Sequence, residues 1–162
     1  MSVKVCSIWS LLQYSMLPTF SFGSFGDIAA ILQLAWAIRR ALSETAGASA
    51  QILTLMGDID SFTRSLQQIK SALEQRGSVP TELSNAVGHG LEECFVVLRN
   101  IEQRINVYKN KISNAMGVKV WRKYWTACTW EILGGRTQVE TMKTRLFEQI
   151  TLIQTLLAAA QA

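Results

Sequence analysis

Side chains able to recognise a partner are densest in Lys119-Val120-Trp121-Arg122-Lys123-Tyr124-Trp125. In a helix, Trp121 and Trp125 share one face because they lie four residues apart, and Arg122, Lys123 and Arg136 add cations to the same neighbourhood. Three uses fit these residue types. Tryptophan sits at the headgroup level of a bilayer while Lys and Arg attract anionic lipid, each cation contributing ~1 kcal/mol near the surface. Aromatic rings beside cations also stack on single-stranded nucleic acid. The third use is structural, with the indoles closing the end of a helical bundle and their N–H groups satisfied at its rim. The residues leave these readings open, and the candidate contact set for a membrane or an acidic partner is Lys119, Trp121, Arg122, Lys123, Trp125 and Arg136.

No comparable arrangement supports catalysis. The twelve carboxylates fall mainly on polar helix faces. The adjacent pair Glu92-Glu93 points ~100° apart on a helix and cannot share one site. There is no Gly-x-Gly-x-x-Gly, no Gly-Lys-Ser/Thr phosphate loop and no His-Glu-x-x-His. Ser21 to Gly26 (SFGSFG) has the look of a glycine-rich loop before a helix, but no strand precedes it and the lysine is missing. Cys6, Cys94 and Cys128 are odd in number and widely spaced, and the single histidine, His89, lies off the apolar stripe of its helix, so neither a disulfide framework nor a metal site is expected. The chain reads as a non-enzyme with no cofactor, in a reducing cytosol.

Net charge is +4, unevenly placed: the stretch from Arg99 to Arg145 carries +7 and the remainder −3. That asymmetry points the second half toward an acidic partner. The segment Val5 to Gly26 has no charge, yet its serines, glycines and Pro18 interrupt it too often for a spanning helix, which needs ~20 mostly apolar residues. A signal peptide also fits poorly, with Lys4 as its only basic residue and no small-x-small site after Leu17. Residues 1–20 are therefore expected to be an extension outside the bundle, with Met16 an alternative start.

The chain is 162 residues long, 49% apolar and poor in proline, a size and composition suited to one helical domain. From Ser24, placed to cap with Asp27 three residues on, the run Ile28, Ile31, Leu32, Leu34, Ala35, Trp36, Ile38, Leu42 is apolar nearly all round, and Gly47 supplies a stop. Ile52, Leu55, Met56, Ile59, Phe62, Leu66, Ile69 and Leu73 give an amphipathic helix over Ser49 to Arg76, ~42 Å long. Leu83, Val87, Leu91, Cys94, Leu98, Ile101, Ile105, Tyr108 and Ile112 form the most regular stripe. A short tryptophan-rich helix follows over Val118 to Leu133, and Gly134-Gly135 ends it. Val139, Met142, Leu146, Ile150, Ile153, Leu157 and Ala160 mark the last helix. The fold class is all-α: a bundle of four long helices plus one short one, with Ile59, Leu66, Leu98, Ile105, Leu146 and Ile153 buried together.

The block Ser21-Phe22-Gly23-Ser24-Phe25-Gly26-Asp27-Ile28, with Leu34-Ala35-Trp36, Ala41-Leu42-Ser43 and the later Trp121, Trp125, Trp130 series, resembles the N-terminal HeLo-like domains of filamentous-fungal multidomain proteins. The resemblance assigns residues 21–162 to such a domain. It implies a helical bundle placed ahead of a nucleotide-binding STAND module or a ubiquitin-like domain. It also implies a cytoplasmic effector in incompatibility or regulated cell death, recruited to the plasma membrane and perturbing it. The contrasting expectation is an adaptor bundle that self-associates through its apolar stripes or docks a partner protein without touching lipid. Nucleic acid is not the expected partner. An exposed apolar patch on the first helix would favour the membrane reading, and a wide apolar groove between the second and third helices the adaptor reading.

Overall fold

The computed structural model describes residues 25–45 and 49–161. They form five helices: α1 (Phe25–Ser43), α2 (Ala50–Arg76), α3 (Thr81–Met116), α4 (Val118–Leu133) and α5 (Arg136–Ala159), with no strand among the described residues. The local signals act where the sequence places them. Asp27 lies in the first turn of α1, facing the positive end of the helix dipole. The Ser49 hydroxyl accepts from the Ile52 amide at 3.4 Å and caps α2. Gly117 and Gly134 take φ of +89° and +99°, backbone that side-chain-bearing residues avoid, so single glycines end α3 and α4. The extension over residues 1–20, the Ser24 cap and the Gly47 stop lie outside the described residues.

α3 is the spine, and α1, α4 and α5 all pack on it. Gly90 of α3 lies against Ile153 of α5, and Arg104 of α3 bonds Gln138 of α5, so these helices run antiparallel. Arg104 Nη1 also donates to the Leu133 carbonyl at the end of α4, at 3.0 Å. α4 therefore covers the C-terminal part of α3 and α5 the N-terminal part, one after the other along the same neighbour. α2 lies on the far side, packed on α1 and α5 and diagonal to α3. Asp58 pairs with Lys143 at 3.0 Å, Asp60 with Arg39 at 2.8 Å, and Arg76 donates to the Leu157 carbonyl at the end of α5. α1 is apolar nearly all round because it is wedged between α2 and α3. Among its described side chains, only the strip of Gln33, Trp36, Ala37, Arg40 and Ser43 faces outward.

The six mid-helix residues Ile59, Leu66, Leu98, Ile105, Leu146 and Ile153 are all buried in one core. The α3 stripe departs from expectation at its end. Val87, Leu91, Cys94, Leu98 and Ile105 are buried, but Ile112 is only half-buried and Tyr108 is exposed. The reason is geometric. Beyond Ile105, α3 has outrun α2 and α5, and no residue from Asn106 to Val120 is buried. The last eleven residues of α3, ~16 Å at 1.5 Å per residue, project with the start of α4 as a helical hairpin beyond the four-helix body. At the other end of the chain Ala160 is exposed, one residue past α5.

Candidate functional site

The hairpin turns on Gly117 alone. Its amide donates to the Ser113 carbonyl at 2.9 Å and its carbonyl accepts from the Trp121 amide at 3.1 Å, so the two helices meet without a loop. Trp121 and Trp125 point inward from α4. They are 1% and 0% exposed, their rings stacked at 5.4 Å between centroids with 18° between planes. Trp125 Nε1 donates to the Ala41 carbonyl near the end of α1 at 2.7 Å, while the buried Trp121 Nε1 has no acceptor. The two indoles of the candidate contact set are thus interior side chains that tie α4 to the body. Past them, Cys128 leaves helical backbone with φ −118° and ψ 21°, where Thr126 and Thr129 donate back to the carbonyls of Arg122 and Trp125 and bend the helix.

The basic half of the chain separates into two groups. Arg99 pairs with Glu102, Lys143 bridges Asp58 and Glu140, and Arg104 holds the end of α4. Arg136 lies over the Trp130 ring at 5.4 Å. Because Arg136 opens α5, it stands beyond the far end of α4, ~24 Å along the axis from the hairpin turn. Its place beside Lys119, Arg122 and Lys123 in the candidate set is corrected: neighbours in sequence across a sixteen-residue helix end up at opposite ends of it.

Two members were missing from that set. Chain reversal at Gly117 runs α4 back along the last turns of α3, so Lys109 and Lys111, eight and six residues before Gly117, belong to the same hairpin as Lys119, Arg122 and Lys123, two, five and six residues after it. The signal was present in the sequence, as a lone glycine between two helical patterns with no linker. Lys109, Lys111, Lys119, Arg122 and Lys123 are all exposed, and none makes an ion pair among the described residues. No Asp or Glu occurs between Glu102 and Glu131. Interspersed with the cations are exposed apolar side chains: Val107, Tyr108, Met116, Val118, Val120 and Tyr124. The Tyr124 phenol is pushed above its usual range, first by the neighbouring Cys128 sulfur and then by desolvation and the Tyr108 phenol. It adds no negative charge to the hairpin near neutral pH.

Elsewhere the described residues converge less. An apolar cavity of about 40 Å³ lies between α2 and α5, bounded by Ile38, Phe62, Leu98 and Leu146, with the Asp58–Lys143 pair at its mouth. Burial, then Glu93, pushes the Cys94 thiol up to about 12, which keeps it protonated and inert. His89 is exposed, and no group of three His, Cys, Asp or Glu able to hold a metal occurs among the described residues. Among the described residues, Trp36, half-exposed, is the single large apolar side chain outward on α1, and side chains of α2 and α3 meet only across the core, where both line the apolar cavity. No helix among the described residues is long and apolar enough to cross a membrane. The chain matches no family model, no curated protein and no solved structure.

Proposed function

We propose that this bundle is a non-enzymatic effector or signalling domain that acts at anionic membrane surfaces, with the α3–α4 hairpin as its contact element. One observation carries the reading: the α3–α4 hairpin bears five exposed cations that make no ion pair among the described residues and has no carboxylate of its own, although Glu44 at the end of α1 shares a surface pocket with Arg122 and Lys123. At ~1 kcal/mol per Lys or Arg near an anionic leaflet, five cations supply ~5 kcal/mol, more than a thousandfold in affinity. The resemblance to HeLo-like domains gives this contact a purpose in incompatibility or regulated cell death, by recruitment from the cytoplasm to the plasma membrane. In such proteins a STAND module or ubiquitin-like domain would follow the bundle. Trp121 and Trp125 are committed to the interior, so neither indole beside the hairpin cations is free to stack on nucleic-acid bases.

The test is co-sedimentation with vesicles of phosphatidylcholine alone or with phosphatidylserine, over a salt series. Wild type binds only the anionic vesicles, and binding weakens as salt rises because exposed charges are screened beyond ~8 Å at physiological ionic strength. Replacing Lys119, Arg122 and Lys123 by glutamine weakens binding about a hundredfold with the helical spectrum unchanged. Arg136→Gln, at the far end of α4, leaves it unaffected. Absence of wild-type binding at every salt, together with self-association or partner capture that survives the triple substitution, would give first place to the adaptor reading, which the inward-facing indoles favour.

A further inference from the structure

Resting on the membrane reading above, we infer that the hairpin docks end-on and that its tip, Met116-Gly117-Val118, enters the headgroup region of an anionic bilayer, with the five cations as a collar around it. Charge alone would leave the protein resting on the surface. The tip has a different chemistry. A turn joining two surface helices is ordinarily polar, yet here the residues on both sides of the glycine are apolar and among the most exposed of their kind, Met116 at 68% and Val118 at 58%. Val120 and Val107 are exposed further back along the hairpin. The nearest cation on each arm, Lys119 on α4 and Lys111 on α3, stands two and six residues from Gly117, and the long stems let the ammonium groups stay at phosphate level while the tip goes deeper.

The backbone sets the depth. The Gly117 amide and carbonyl are both bonded within the hairpin, so the glycine itself leaves no backbone group open. α4, however, begins without a side-chain cap and without an acidic residue in its first turn. Its first amides are left for outside acceptors, which lipid phosphates supply and acyl chains do not. Insertion therefore stops among the headgroups. The occupant is an anionic lipid surface because the cations select the charge and the apolar tip selects a partner with an interior.

The experiment removes the apolar tip and leaves the charge: Met116→Ser with Val118→Ser, compared with wild type and with Leu152→Ser on the exposed face of α5 as a control. The double variant is expected to bind phosphatidylserine vesicles about tenfold or more weakly, since two partly buried side chains are lost. Salt should weaken binding of all three proteins, but wild type and Leu152→Ser should still co-sediment at salt concentrations where the double variant no longer does, because the contribution of an inserted tip is not screened. A bimane on Met116→Cys, in a Cys6→Ser/Cys128→Ser background, should shift to the blue on vesicles, while one on Thr155→Cys at the opposite end should not. If wild type binds anionic vesicles and the double variant binds equally well at all salts, or the bimane at 116 stays in water, the inserted tip is refuted while the membrane reading stands. If wild type does not bind at all, both fall.

Discussion

Trp121 and Trp125 are buried to the same degree and stacked on each other, yet their N–H groups have different fates. Trp125 Nε1 reaches the Ala41 carbonyl, whereas Trp121 Nε1 has been taken out of water without receiving an acceptor. Phenylalanine at either position removes similar volume, so comparing the two variants isolates the hydrogen bond. Trp125→Phe should cost ~1 kcal/mol more than Trp121→Phe in urea denaturation followed by circular dichroism. Trp121→Phe recovers part of its cavity cost by deleting an unsatisfied donor. Equal costs, or the reverse order, would show that the Ala41 bond contributes nothing. The sequence placed both indoles on one helix face, but it did not say whether that face looks inward. The i, i+4 spacing fixes a common direction, and only the neighbouring helices decide what lies there.

At the scale of the elements, the sequence was most reliable where a glycine or a cap had a local job. Gly134 is the strongest case. Its φ of +99° already disfavours a side chain, and a Cβ there would overlap Arg104 Nη1 and Gln138 Oε1. Gly134→Ala must expel the Arg104 guanidinium from the Leu133 carbonyl at the α4 terminus, with an expected cost of ~2 to 4 kcal/mol from backbone strain and a charge-assisted bond together. With Arg104 already replaced by alanine, the same change should cost about half as much. Equal costs in the two backgrounds would remove Arg104 from the explanation. Gly90 carried no such local signal. It sits mid-helix in α3, and its lack of a side chain is explained only by Ile153 of α5, whose Cδ1 would lie 3.0 Å from an added Cβ.

For the whole molecule, the unequal reach of the helices decides where stability ends and contact begins. α3 runs for 36 residues, longer than α1, α2 or α5, and its last turns leave the core behind. Native-state hydrogen exchange should therefore divide α3: amides around Leu91 to Ile105 should exchange most slowly, and those from Asn106 to Val120 much faster, although the helix is continuous. Uniform protection along α3 would show that the overhang belongs to the cooperative core. The helical class, the five elements, their ends at Gly77, Gly117 and Gly134, and the six central core residues were legible in the sequence, because apolar spacing and turn residues act over a few residues at a time. The partnering of α2 with α1 and α5 rather than α3, the inward turn of Trp121 and Trp125, the removal of Arg136 to the far end of α4 and the recruitment of Lys109 and Lys111 were not. Each depends on which helices meet and at what level, and that is set by the packing of all five together, which no local pattern encodes.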